Sequence, residues 1–126
     1  MQTKFLRNEF WYGGAVYESY KQPIGEEDSV EWDFRENPTA NQIMPLFLST
    51  KGRYIWSEKG FQIQFHKGMI QAEGDCEILL KEGYDSLRGA YLEAMKQHFP
   101  FHEIRLSKRF FEAPVYNTWI EMTFYQ

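Results

Sequence analysis

Hydrophobic and polar residues alternate with a period of two along much of the chain. In the run 30–35 the even positions are apolar and the odd positions are charged, and the run 61–65 alternates apolar residues with glutamines. A period of two gives a strand one face toward the core and one toward water. Both runs are therefore predicted to be half-buried strands of antiparallel sheets.

Turn residues separate further runs of strand-forming residues. Lys51-Gly52 lies between the runs 44–49 and 53–57, and Lys67-Gly68 lies between 61–65 and 69–73. Because glycine readily adopts the positive φ that tight turns need, each pair predicts a β-hairpin. A further short strand is predicted over 76–80, so that at least five strands precede residue 81. This pattern predicts a mainly β protein built as an antiparallel β-sandwich.

One segment has a helical period instead. After Asp85 or Ser86 as N-cap, apolar residues recur at steps of three and four as far as His98, and Pro100 stops the helix. The spacing predicts one amphipathic α-helix near residues 86–99. The segment 100–113 has no clear period and is predicted to be a connector. The last segment, 115–125, is rich in residues that favour sheets and is predicted to be a strand.

The composition fits one globular domain. The chain has 126 residues, of which 43% are hydrophobic and 25% charged, a balance that supports a single buried core. Aromatic residues make up 18% of the chain, more than a small core needs, so some rings are expected to meet a ligand or a partner. We divide the chain into the sandwich core at 1–84, the helix and connector at 85–113, and the final strand at 114–126.

Net charge and cysteine content limit the classes of binding partner and the cellular compartment that the sequence allows. The net charge is −4 and the sequence pI is about 5.4, which provides no basic face for a nucleic acid. No stretch is long and apolar enough to span a bilayer, and the first residues lack the apolar segment of a signal peptide. With a single cysteine there is no internal disulfide. These features predict a cytoplasmic protein with neither a nucleic-acid nor a membrane partner.

The sequence contains no catalytic or metal-binding motif. Its histidines His66, His98 and His102 are scattered, and Pro100 breaks the helical face that the last two would need to share. Cys76 lies in an apolar run without a neighbouring histidine, so a buried, unreactive thiol is predicted. We expect no metal, no cofactor and no catalytic residue.

An aromatic cluster near the N-terminus is the strongest chemical signal. Phe10, Trp11 and Tyr12 stand directly before Gly13 and Gly14. Neighbouring strand residues point to opposite faces, so at least one ring is expected to be exposed, beside a mobile glycine loop. Flat aromatic faces suit the C–H faces of sugar rings. The alternative is that these rings close one end of the sandwich.

Three segments resemble, in order, the N-terminal region of glycoside hydrolase family 31, the α-glucosidase and α-xylosidase family. Segment 11–25, "WYGGAVYESYKQPIG", resembles the family's glycine-containing loop after a strand. Segment 41–56, "NQIMPLFLSTKGRYIW", resembles a family hairpin. The segment "FFEAPVYNTWIEMTFYQ", at 110–126, resembles the entry into the family's catalytic barrel. The matching hairpin residues are Pro45, Phe47, Ser49, Gly52 and Tyr54.

The resemblance implies a galactose mutarotase-like β-sandwich placed before a (β/α)₈ barrel. In the family, two aspartates on later barrel strands hydrolyse α-glycosidic bonds with retention, a reaction that needs carboxyl groups about 5 Å apart. The chain stops before those strands, so no hydrolase activity is expected from it alone. The implied partners are the catalytic barrel and, in the full-length enzyme, an α-linked oligosaccharide.

The resemblance also implies candidate substrate-binding residues. A loop of the sandwich reaches over the barrel mouth in this family, which makes its rings candidates for sugar stacking: Trp11, Tyr12 and Tyr17. The first barrel strand has its C-terminal end toward the active site, and alternate residues there share one side of the strand. These candidates, which would line or support the pocket of the full enzyme, are Asn117, Trp119 and Glu121.

Two other classes of function stay open. The chain is alternatively a stand-alone carbohydrate-binding module that uses its surplus rings as a platform. It is also compatible with a partner-binding β domain, in which the final aromatic strand adds to a sheet edge of another chain or of a second copy.

Overall fold

The computed structural model describes residues 1–36, 42–100, 103 and 106–114, and within these ranges eight strands form two antiparallel sheets. The first sheet has the order β1 (Gln2–Lys4), β7 (Met69–Glu73), β6 (Gln62–His66) and β3 (Val30–Asp33). The second has the order β2 (Trp11–Ala15), β4 (Ile43–Ser49), β5 (Tyr54–Ser57) and β8 (Ile78–Lys81). The predicted mainly β fold, with two antiparallel sheets consistent with a β-sandwich, is confirmed.

The core lies between the two sheets and consists largely of aromatic rings. Trp32 and Phe65 from the first sheet meet Phe47 from the second, with ring centroids 5.7 Å (Trp32–Phe47) and 5.5 Å (Phe47–Phe65) apart. Phe34 and Phe61 join the same cluster. Burial of a large apolar side chain stabilises a fold by roughly 1.5–3 kcal/mol. A good part of the aromatic surplus therefore serves the core.

Both predicted hairpins are present. His66 pairs with Met69 across the two-residue turn Lys67-Gly68, and both turn residues have positive φ, 47° and 72°. This combination is the type I′ turn, whose twist matches that of the flanking strands. The second hairpin joins β4 to β5 through Lys51-Gly52, where Ser49 N donates to Arg53 O over 2.9 Å.

The strand predicted over 76–80 is shifted, and the interpretation of Cys76 is wrong. Strand β8 begins at Ile78, which pairs with Ser57, the last residue of β5. Because β5 ends there, the residues before Ile78 have no neighbouring strand to pair with. Cys76 consequently lies in a bend and is half-buried rather than buried within a strand.

The predicted helix is confirmed as α1 (Leu87–His98). The Ser86 side chain accepts a hydrogen bond from Gly89 N and caps its first turn. Ala90 and Ala94 are fully buried and form a second small core with Leu46 and Tyr54. The small alanine side chains let the helix lie close against the outer face of the second sheet.

Three short elements were not predicted: strand β1, a 3-10 helix at Val16–Lys21, and helix α2 (Arg109–Glu112) within the connector. The predicted strand over 115–125 lies outside the described residues. The same holds for His102 and for the candidates Asn117, Trp119 and Glu121. In the described ranges, no helix has both the length and the apolar character needed to cross a membrane.

Candidate functional site

The three N-terminal aromatic candidates have different environments. Trp11 is 0% exposed and packs in the core, with the Arg53 guanidinium 5.3 Å from its ring. Its assignment as a sugar-stacking residue is therefore wrong, because neither face of its ring is free. Tyr12, the next residue on β2, has its side chain 37% exposed, and Tyr17 is 69% exposed. Tyr12 and Tyr17 stay available to a ligand.

The glycine pair is part of a strand and not of a mobile loop. Gly13 pairs with Phe47 and Gly14 with Met44, so the register of β2 against β4 shifts between them. The unpaired residues, Pro45 and Leu46, lie on β4, so this irregularity is a β-bulge of β4 opposite the glycine pair, and it bends that strand. Gly13 has φ of 148°, and a Cβ atom there would lie 2.5 Å from Leu46 O. Only glycine fits this position without displacing β4.

Directly after β2, the 3-10 segment Val16–Lys21 carries two exposed tyrosines. Tyr17 is 69% and Tyr20 is 75% exposed, and they lie on either side of a kink at Glu18, whose φ of −102° and ψ of 21° are not helical. Glu18 and Lys21 form an ion pair within the segment. We call this element, with its two rings, the tyrosine helix.

Sequence reasoning did not single out Tyr20. Its spacing of three from Tyr17 matches one turn of a 3-10 helix, but the segment is kinked at Glu18 between the two tyrosines, so no local pattern marks it. The segment contains β-branched and aromatic residues beside glycines, which favours strand or loop in a sequence-based interpretation. The contacts of Glu18 and Lys21 with the rest of the domain, and not local propensity, define the element.

The carboxylate of Glu18 attaches the tyrosine helix to the core. It accepts a hydrogen bond from Nε1 of Trp32, a core residue that is 3% exposed, and a second from Nζ of Lys21. The Lys21 ammonium also lies 5.4 Å from the Trp32 ring centroid. The hydrogen bond from Lys21 lowers the pKa of Glu18, the one from Trp32 adds to this, and partial burial opposes it. The carboxylate is therefore ionised at neutral pH.

Backbone contacts hold both ends of the tyrosine helix. At its start, Val16 N donates to Gln42 O over 3.1 Å. After its end, Gln22 Nε2 donates to Gly13 O over 2.8 Å, and Ile24 exchanges two backbone hydrogen bonds of 2.9 Å with Trp11. The two rings are thus presented to solvent from a support that is tied to β2, β3 and β4.

A buried ion pair forms a second polar cluster, at the hairpin between β4 and β5. Arg53 Nε donates to Glu9 Oε1 over 2.8 Å, and both side chains are almost completely buried. Arg53 also donates to Glu82 and to the backbone oxygen of Lys4, and Ser49 donates to Glu9. These bonds join β1, the β1–β2 connection and the second sheet. Because its donors are occupied within the protein, Arg53 is a structural residue.

Burial and hydrogen bonding shift the pKa of Glu9 in opposite directions. Burial of the carboxyl raises its pKa, while hydrogen bonds from Arg53, Ser49 and the Leu6 backbone lower it more, so the net pKa lies below the ordinary value. Neither Glu9 nor Arg53 was singled out from the sequence. Their pairing joins residues 44 positions apart, which no local pattern reports.

The described histidines do not form a metal site. His98 stacks on Trp56 with ring centroids 3.7 Å apart, and its Nε2 lies 3.1 Å from the Tyr54 hydroxyl oxygen. Burial, with a smaller effect of Lys81, lowers the pKa of His98. His66, on β6, contacts Ser29, which directly precedes β3. Within the described part of the chain, no group of three or more histidine, cysteine or acidic residues has an arrangement that would hold a metal ion.

Comparison with known proteins identified no family for the chain. No protein-family model matches the chain, and a comparison with curated proteins found no match. The arguments for function therefore come from the residues and their geometry.

Proposed function

We propose that the chain is the non-catalytic N-terminal β-sandwich domain of a family 31 α-glycosidase, and that it helps to bind an α-linked oligosaccharide. Three segments that resemble this family occur in the expected order. The first of them contains strand β2 and the tyrosine helix, and the second contains the β4–β5 hairpin. The mainly β architecture agrees with the sandwich that the resemblance implies.

The single observation that carries the proposal is the anchored tyrosine helix. A tyrosine ring offers a flat apolar face for the C–H face of a sugar and a hydroxyl for its polar groups. It also has few rotatable bonds, so little conformational entropy is lost when it binds. Tyr17 and Tyr20 expose such rings on a support that Glu18 and Trp32 hold in place. Tyr12 supplies a third partly exposed ring on β2.

In this proposal the domain contributes binding, and the barrel contributes the chemistry. Retaining hydrolysis needs two carboxyl groups about 5 Å apart on either side of the scissile bond. Glu9 is buried and bound by Arg53, and Glu18 is half-buried and bound by Lys21 and Trp32. Both glutamates therefore have structural roles. We expect no hydrolysis of α-glycosides by the 126-residue chain alone.

The reading frame downstream of Gln126 tests the proposal. We expect it to encode a (β/α)₈ barrel with an aspartate at the C-terminal ends of two of its strands. An immediate stop codon would contradict the assignment to a glycosidase. This observation needs neither a folded protein nor a chosen sugar, and so it is independent of how tightly the domain binds.

The exposed tyrosine pair also favours a second candidate, a stand-alone carbohydrate-binding module. This candidate predicts saturable quenching of tryptophan fluorescence when maltoheptaose or another oligosaccharide is added to the chain. Trp32 is a suitable reporter because its Nε1 is bonded to Glu18 in the tyrosine helix. A flat titration with a panel of oligosaccharides would remove this candidate.

A further inference from the structure

The outward face of the first sheet carries a row of polar side chains that crosses all four strands. The strand register places Gln2 opposite Gln71, Gln71 opposite Gln64, and Gln64 opposite Glu31. Residues that are opposite each other on paired strands point to the same side of the sheet. With strands ~4.8 Å apart, the row is roughly 14 Å long. We call this surface the glutamine face.

A second, shorter row runs beside the first. Gln62 pairs with Glu73 on one side and with Asp33 on the other. Residues from both rows, together with Met1 and Ala72, line an open depression of about 540 Å³. The face is therefore concave, and glutamine amides and glutamate carboxylates make up most of its lining.

Most side-chain hydrogen-bonding groups of the first row have no partner within the described residues. In the second row, by contrast, Gln62 Nε2 donates to Glu31 over 2.7 Å, and Gln62 Oε1 accepts from Arg35 over 3.3 Å. The side chains of Gln2, Gln64 and Gln71 have no hydrogen-bond partner within the described residues, and all three are exposed. Three amides in line thus present both donors and acceptors to an incoming ligand.

The glutamine face carries charges of both signs. Its carboxylates are Glu31, Glu73 and Asp33. Its cations are Lys4 on β1, the Met1 ammonium, which donates to Ala72 O over 2.7 Å, and Arg35, which is engaged by Asp33. The face therefore has no net positive charge to attract a nucleic acid or another polyanion. Among the described residues, none of the exposed large apolar side chains belongs to this face, so it provides no contact area for a lipid surface or for an amphipathic helix.

We propose that the glutamine face binds a neutral oligosaccharide, at a site separate from the tyrosine helix. Each sugar hydroxyl is both a donor and an acceptor, as each glutamine amide is, and carboxylates accept further hydroxyl protons. An elongated, uncharged ligand rich in hydroxyl groups is complementary to the length, the charge and the hydrogen-bonding capacity of the row. Because every such bond replaces bonds to water and no ring stacks on the sugar, the binding is weak, with Kd in the millimolar range.

Nitrogen-15 NMR of the glutamine side-chain amides tests this site, with maltoheptaose and cellohexaose as probes. We expect saturable shifts of the NH₂ signals of Gln2, Gln62, Gln64 and Gln71 with at least one of the two sugars. The double variant Gln64→Ala/Gln71→Ala should weaken this binding at least tenfold. The matched variant Gln42→Ala removes an exposed glutamine beside β4 and should leave the binding unchanged. Dispersed backbone amide signals report that each variant is folded.

The outcomes separate this site from the tyrosine helix. The variant Tyr17→Ala/Tyr20→Ala should leave the glutamine shifts unchanged. Sugar binding at the glutamine face is therefore tested independently of the proposed glycosidase function. Absence of shifts up to tens of millimolar of both sugars overturns the inference. Shifts that the tyrosine variant abolishes overturn it too, as do shifts produced by calcium chloride or spermidine and by neither sugar.

Discussion

The indole Nε1 of Trp32 donates a hydrogen bond to the carboxylate of Glu18, and this bond joins the aromatic core to the surface element that carries Tyr17 and Tyr20. The core and the candidate binding surface are therefore directly linked. A substitution at Glu18 should affect both the core around Trp32 and the surface element that carries the two tyrosines.

The variant Glu18→Ala is expected to lower the free energy of unfolding by about 1–3 kcal/mol, because it leaves the buried indole N–H of Trp32 without a partner. Glu18→Gln keeps an acceptor and should cost about 1 kcal/mol less. Urea denaturation followed by tryptophan fluorescence measures both values. Hydrogen exchange over residues 16–21 should also become faster in Glu18→Ala. Equal stability of Glu18→Ala and the exposed control Glu27→Ala would contradict the anchoring role.

The buried pair of Glu9 and Arg53 predicts a large loss of stability when one partner is removed. Glu9→Gln leaves the Arg53 guanidinium without its buried counter-charge, which typically costs about 3–5 kcal/mol. The double variant Glu9→Leu/Arg53→Met removes both charges and should recover most of that loss. Chemical denaturation of the wild type and the two variants gives the comparison. A Glu9→Gln variant as stable as the wild type would show that the ion pair does not contribute this stability.

The same pair predicts an acid-sensitive stability. The pKa of Glu9 in the folded protein is below its ordinary value of 4.5, so the ionised carboxylate contributes fully above pH 4.5. That contribution is lost as the pH falls through the folded-state pKa. Melting temperatures between pH 7 and pH 3 should therefore fall more steeply for the wild type than for Glu9→Gln below pH 4.5. Parallel curves would contradict this assignment.

The close approach of β4 to β2 predicts a strict need for glycine at position 13. Gly13→Ala places a Cβ atom 2.5 Å from Leu46 O at a φ of 148°, which should cost about 2 kcal/mol or more. Gly83 has φ of 93° with no atom within 4 Å of an added Cβ, so Gly83→Ala isolates the effect of φ alone. Thermal unfolding should rank wild type, Gly83→Ala and Gly13→Ala in decreasing order of stability. A Gly13→Ala variant at least as stable as Gly83→Ala would be inconsistent with the close approach of β4.

The packing of helix α1 predicts that its buried alanines do not tolerate larger residues. Ala94 is completely buried against the second sheet, and Ala94→Leu should lower stability by about 1–3 kcal/mol through overpacking. The control Leu92→Ala changes an exposed position of the same helix and should stay within about 0.5 kcal/mol of the wild type. Calorimetric melting distinguishes the two. A neutral Ala94→Leu variant would mean that the helix does not dock as described.

The fold follows from the sequence wherever the signal is local. Alternation of period two identified the strands around Trp32 and Phe65, and the turn residues Lys67-Gly68 predicted a hairpin that the structure confirms. The helix was readable from its cap at Ser86 and the stop before Pro100. Each of these signals depends on residues within a few positions of one another.

The site was harder to predict because it depends on contacts that are remote in sequence. Alternation shows that Trp11 and Tyr12 point to opposite faces, but only the pairing of β2 with β4 decides which ring is buried. Strand β1 has three residues and no pattern of its own, and its pairing with β7 defines it. The tyrosine helix likewise depends on the bond between Glu18 and Trp32, fourteen residues away.

In the proposed function, this domain binds sugar for an α-glycosidase barrel. The most direct measurement is the steady-state kinetics of the polypeptide encoded from Met1 through the proposed downstream barrel, compared with its Tyr17→Ala/Tyr20→Ala variant. The substrates are maltoheptaose and a short aryl α-glucoside. We predict α-glycosidase activity in both proteins, and a KM for maltoheptaose that rises about tenfold in the variant, the loss of roughly 1.4 kcal/mol of binding. The kcat and the kinetics of the aryl glucoside should not change. An absence of α-glycosidase activity, or equal effects on the two substrates, would rule out the proposed function.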